Sequence, residues 1–131
     1  MKMYEITNTT DDSVPFDRVR AAQSPNATTE QLNAALRDVW IVRLAAISNP
    51  NVTVEQVAVG LKDNQWSIRW EAIKQSKSNA DLLGIALKDA NLNVRVAAIS
   101  NPNATAAQIA TALKDKNQKV RRIAVQRQSA I

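Results

Sequence analysis

The stretch VRLAAISNPNVTVEQVAVGLKD, residues 42 to 63, returns two steps later as VRVAAISNPNATAAQIATALKD, residues 94 to 115. Aligning the chain with itself puts Arg18, Arg43, Arg69, Arg95 and Arg121 in one column, and Leu36, Leu61, Leu87 and Leu113 in another, the leucines at steps of 25, 26 and 26 residues. A period of this length marks stacked supersecondary units, none of which can bury its apolar face alone. The repeat therefore constrains the fold more tightly than composition does.

Each unit reads as two short helices. In TVEQVAVGLKD, Val57, Gly60 and Leu61 stand at i, i+3 and i+4, which only a helical period brings onto one face. Thr28 with Gln31, Thr53 with Gln56, and Thr105 with Gln108 have the spacing of a capping box, in which the hydroxyl takes an orphan backbone N–H and the amide reaches back. The second helix, around VRLAAISN, is apolar on nearly every side and must lie between neighbours. It is expected to stop at Asn-Pro-Asn, because proline disfavours α conformation in the residue before it and has no N–H to donate. Pro25, Pro50 and Pro102 mark three such stops, and Asp38, Asp63, Asp89 and Asp115 close the first helices. Ala35, Gly60, Ala86 and Ala112 let helices approach closely, and each column leucine is expected to contribute about 1.5–3 kcal/mol by burial.

With no cysteine and no histidine, the chain has no disulfide, thiolate nucleophile, imidazole base or soft-ligand metal site. Its two glycines, Gly60 and Gly84, form no phosphate-binding loop, so no cofactor, metal or catalytic constellation is expected and the protein reads as a non-enzyme. MKMYEITNTTDDS lacks an apolar core of signal-peptide length, and no run is long enough to span a membrane. A soluble, cytoplasmic protein without membrane partners is the expectation. The formal charge of +5 suits an anionic partner and equally a solvated basic surface.

A single repeat domain over residues 1–131 is expected, with 1–14 as an acidic lead-in carrying Glu5, Asp11 and Asp12 against Lys2, and 15–131 as helical repeats. Met3, Tyr4 and Ile6 are placed to cover the first core face. The third copy departs most: Ser76 replaces proline, Asn79 replaces the capping threonine, and IRWEAIKQ brings Trp70, Glu71 and Lys74 where neighbours have small or apolar residues. Divergence inside a regular array suggests a local function.

Four groups are candidates for function. The ladder formed by Arg43, Arg69, Arg95 and Arg121 with Asp38, Asp63, Asp89 and Asp115 reads as stacking between units rather than ligand binding, since it recurs in every copy. Trp40, Trp66 and Trp70 form the second group: Trp40 and Trp66 share a repeat position, and Trp66 and Trp70 are helical i, i+4 neighbours. With Glu71 and Lys74 they read either as a partner-binding patch or as core. Glu71 alone, among tryptophans, has the surroundings of a raised-pKa acid, or is a surface partner of Arg69 and Lys74. The fourth group, Lys116, Lys119, Arg122 and Arg127, fits nucleic-acid phosphate or a solubilising end cap.

The pattern VR-x-AA-x-x-NPN-x-T-x-x-Q-x-x-x-x-L-x-D resembles the leucine-rich repeat variant and the short HEAT-like repeats, over residues 15 to 131. The resemblance implies an all-α, right-handed α-solenoid of about 25–26-residue two-helix repeats that binds protein through a curved surface. In the variant type one helix of each pair is 3-10, whereas the first helix here reads as α. Similar NPN-type chains also look like small proteins of bacterial viruses, which implies a structural, self-assembling subunit as a further alternative. The expected partner is a protein, with nucleic acid as alternative, and the expected state is a monomer or a weak head-to-tail oligomer.

Overall fold

Seven residues are too few to hold a helix in water, because nucleation fixes several residues for one hydrogen bond. The four first helices nevertheless form at that length in the computed structural model, which describes residues 14–75 and 77–130. They are α2 (Thr29–Ala35), α4 (Val54–Gly60), α6 (Ala80–Ala86) and α8 (Ala106–Ala112). Complete capping boxes open three of them. Thr28 Oγ1 accepts from Gln31 N at 3.1 Å while Thr28 N donates to Gln31 Oε1 at 2.8 Å, and the same pairs form at Thr53/Gln56 and Thr105/Gln108. At the fourth, Asn79 does the threonine's work, its Oδ1 accepting from Leu82 N at 3.0 Å. All four are α-helical.

The longer helices are α1 (Phe16–Gln23), α3 (Trp40–Ile47), α5 (Trp66–Lys74), α7 (Leu92–Ser100) and α9 (Gln118–Ser129). Ser24 and Asn101, which precede Pro25 and Pro102, have ψ of 137° and 130°, so α1 and α7 stop where proline demands an extended residue before it. Among the described residues every regular element is a helix. The chain divides into two compact units, Met1–Val52 and Thr53–Ile131. In the first, α1, α2 and α3 pack on one another around Ala22, Leu32, Leu36, Val42 and Ala46. In the second, α5 packs against α7 and α7 against α9, while α4, α6 and α8 lie along them. Ile68, Ile73, Leu83, Val94, Ile99, Ile109 and Val120 form its buried core. The segment covering Lys2, Met3, Tyr4, Glu5, Ile6, Asp11 and Asp12, and also Ser76, lies outside the described residues.

The depth of the leucine column differs from the expectation. Leu36 and Leu61 are buried, but Leu87 and Leu113 are only half-buried. The deepest position of each first helix lies one turn earlier, at Leu32, Val57, Leu83 and Ile109. Each column leucine is the C-cap or follows directly on the last helical residue, so its side chain stands at the margin of the packed layer.

The arginine ladder is made of forks. Arg69 gives Nε and Nη2 to the two oxygens of Asp89 at 2.8 and 3.1 Å, and Nη1 to the Asp63 carbonyl at 2.8 Å. Arg95 repeats this on Asp115 at 3.0 and 3.3 Å, with Nη1 on the Asp89 carbonyl at 2.9 Å. In the first unit Arg18 grips Asp38 at 2.7 and 3.1 Å, and Arg43 Nη1 reaches the Asp38 carbonyl at 2.9 Å. The aspartates also start the next helix, since Asp89 Oδ1 accepts from Asn91 N and Asp115 Oδ1 from Asn117 N, both at 2.8 Å. One carboxylate thus fixes both a turn and the neighbouring pair, with the bidentate geometry that arginine alone provides.

The Arg18 guanidinium, hydrogen-bonded to Asp38, holds that carboxyl below its ordinary value against the opposing effect of burial. A depressed carboxylate pKa contributes stability that is fully present above the unfolded value of about 3.9 and is lost as pH falls through the folded value. Asp38→Asn should therefore melt lower than wild type at neutral pH, and the gap should close as pH falls below the carboxylate range. Thermal melts across an acid series check this; a gap that persists undiminished in acid contradicts it.

A second set of rungs runs through the asparagines of the NPN turns. Asn49 Nδ2 donates to the carbonyls of Ala22 and Ser24, both at 2.8 Å, and Asn51 Nδ2 to those of Pro25 and Ala27. In the second unit Asn101 Nδ2 reaches the Ile73 carbonyl at 3.0 Å, and Asn103 Nδ2 that of Ser78 at 2.9 Å. Carbonyls left open at one helix C-terminus are satisfied by the next turn's amides.

Candidate functional site

The face of the second unit that departs from the repeat is built on α5. Trp66 opens that helix and Trp70 follows one turn later, so the rings lie on one side, with centroids 6.4 Å apart and planes at 60°. Lys74, one further turn along, sets Nζ 3.7 Å from the centroid of the Trp70 ring. The same ammonium lies 3.5 Å from Glu71 Oε2. Glu71 is therefore the ion-pair partner of Lys74, and the lysine is held over the indole from two directions.

Exposure separates the tryptophans from the core. Trp66 is 42% exposed and Trp40, on α3 of the first unit, 48%, whereas Trp70 is half-buried. Across from Trp70, α7 offers the smaller Val96 and Ser100, and the size mismatch leaves an open groove of about 270 Å³ lined by Trp70, Lys74, Val96, Ser100 and Pro102. One wall is aromatic with a cation at its edge. The other is aliphatic with a hydroxyl and a proline ring. Such a surface takes a side chain with an apolar body and an acidic or hydrogen-bonding tip.

The basic group separates into two kinds. Lys116, Lys119 and Arg122 are exposed, and among the described residues their side chains form no ion pair. Arg127 differs: it is half-buried and its Nη1 donates to the carbonyls of Ile99 and Asn101 at 2.9 and 2.6 Å. It stands 26 residues after Asn101 and takes the place of the turn asparagine in the second set of rungs. The sequence reading placed Arg127 with the free cations and overlooked the asparagine rungs. Their signal was present as Asn49, Asn101 and Arg127 in the register of the repeat, but an asparagine beside proline reads first as a turn residue.

The ladder residues lie away from this face: Arg69 and Arg95 spend their donors on Asp89, Asp115 and backbone carbonyls, and Arg121 Nη1 donates to the Asp115 carbonyl at 2.6 Å. Among the described residues no helix is long and apolar enough to cross a membrane. Comparison of the chain with protein-family models, with curated proteins and with solved structures gives no match.

Proposed function

We propose that the protein is a non-enzymatic, right-handed α-solenoid of two-helix repeats that binds another protein through its second-helix face, with Trp66, Trp70, Glu71 and Lys74 as the anchor and Trp40 as a further exposed aromatic. The solenoid reading is supported by the recurrence of one helix pair and of the same Arg–Asp and Asn–carbonyl rungs at the period of the sequence. The observation that carries the binding reading is the tryptophan pair, Trp66 exposed and Trp70 half-buried beside a preformed groove, with a lysine held over one ring. Tryptophan side chains on a rigid helix have few torsions to fix on binding and are among the residues that dominate the energetics of protein interfaces.

Trp70→Ala combined with Lys74→Ala is the test. Both side chains reach solvent, and among the described residues Lys74 pairs with Glu71 and the ring, so helical content should be retained and the melting temperature little changed. Capture from nuclease-treated lysate, read by mass spectrometry, should yield protein partners with wild type that are lost with the double variant. Partners retained by the variant, or captured material that vanishes on nuclease treatment, count against the assignment. The latter outcome favours nucleic acid, for which the exposed Lys116, Lys119 and Arg122 supply phosphate contacts and Trp66 a stacking surface.

A further inference from the structure

In the second unit the column arginines receive carboxylates in one geometry. Arg69 and Arg95 each lay Nη1 on a carbonyl of the preceding turn, and their Nε and Nη2 take both oxygens of Asp89 and Asp115. Arg121 is placed in the same way, half-buried and with Nη1 on the Asp115 carbonyl at 2.6 Å. Its Nε and Nη2 meet no carboxylate among the described residues. Asp115, the nearest in sequence, already gives both oxygens to Arg95. A guanidinium held by one arm, with its other two donors open, is a bidentate site for an oxyanion. Beside it lies an apolar position: Ile73 and Ile99, one turn after Arg69 and Arg95, are 0% exposed, whereas Val125, one turn after Arg121, is 53% exposed.

The way the filled forks are closed defines the group that fits this one. Asp89 and Asp115 each start a helix, Oδ1 also accepting the N–H two residues on. The fifth residue after each is a valine, Val94 or Val120, at 0% exposure, and Val120 lies with Ile99 in one cluster. A helical turn of the pattern Asp-x-Asn-x-x-Val therefore supplies both halves, a carboxylate for the fork and a branched aliphatic for the position one turn along. Around Arg121 the charge is of one sign: Lys114, Lys116, Lys119 and Arg122 are exposed and form no ion pair among the described residues. We propose that Arg121 and Val125 form a second recognition site, built from none of the residues that line the Trp70 groove, for an acidic protein segment that starts a helix with an aspartate and carries an aliphatic residue five positions later. The aspartate closes the fork, the aliphatic covers Val125, and further carboxylates of the segment face the lysines. A nucleic-acid backbone offers phosphate to the fork but nothing to the valine.

Titration of the isotope-labelled full chain with a synthetic peptide, read by NMR at the Arg121 Nε–H and the Val125 methyls, tests this. The peptide is residues 88–101 of this chain with Lys88→Glu and Arg95→Glu to make it acidic, held helical by a side-chain staple away from Asp89 and Val94. Saturable shifts at both groups are expected. Asp89→Asn in the peptide, which leaves the protein untouched, should weaken binding about tenfold or more. In the protein, Arg121→Lys keeps the charge but loses the fork and should weaken it as much, while Arg122→Lys should leave affinity within about twofold. Because Arg121 also braces a turn, Val125→Asp serves beside it: the side chain is exposed, and its change should weaken binding with an unaltered circular dichroism spectrum. The absence of saturable shifts at Arg121 and Val125 overturns the proposal. So does binding that survives Asp89→Asn or Val125→Asp, or a peptide that inorganic phosphate or a DNA duplex displaces at equal concentration.

Discussion

Arg95→Met should cost about 3–5 kcal/mol in urea unfolding, the range for removing one partner of a buried pair. The Arg95 and Asp115 side chains are only 5% and 10% exposed, so the substitution strands a carboxylate that water cannot reach well. It also strips the Asp89 and Ala90 carbonyls of the Nη1 donor they share, at 2.9 and 3.3 Å. Adding Asp115→Leu should recover part of the loss, because an apolar pair of similar volume avoids the desolvation of both ions. Recovery should be incomplete, since Asp115 Oδ1 also accepts from Asn117 N to start α9. Arg18→Met supplies the contrast. Its fork on Asp38 has nearly the same geometry, but the arginine side chain is 58% exposed, and water competes for both groups. The melting temperature of that variant should fall, but by much less than that of Arg95→Met. Equal losses at Arg18 and Arg95 would show that geometry, rather than burial, sets the worth of a rung.

The contrast between these two rungs also marks how far the sequence could be read. The helices, their capping boxes and the Arg–Asp pairs were legible because each needs particular residue types at fixed offsets: threonine three before glutamine, arginine and aspartate in every copy. Burial was less legible. Nothing in the letters distinguishes Arg18 from Arg95, because exposure depends on what lies on the far side of the helix. The same holds for the tryptophans. An i, i+4 pair could be core or patch, and it is the small Val96 and Ser100 opposite Trp70 that leave a groove beside its ring. Arg127 was misread for a related reason: a guanidinium in a basic stretch suggests solvent, whereas its position in the repeat places it on two backbone carbonyls.

Leu83→Ala should cost about 3–5 kcal/mol, the upper part of the range for leucine truncation in a well-packed core. Leu83 is 0% exposed, on a seven-residue helix that packs against both α5 and α7. Such a helix has no stability of its own, so its burial against neighbours is what keeps it formed. Asn79 caps it through one side-chain hydrogen bond, without the reciprocal glutamine found at Thr28, Thr53 and Thr105. The cavity left by truncation therefore cannot be closed by a firmly anchored first turn, and fraying of α6 should add to the lost transfer energy. Leu87→Ala, in the column that is most regular in the sequence, should cost less, about 1–2 kcal/mol, because a half-buried side chain gives up only part of its area. Urea midpoints of the two variants, with amide exchange in α6, decide between depth and regularity. If Leu87→Ala proves the more damaging, the C-terminal margin of the first helices carries the packing, and the position one turn earlier is a lining that can relax.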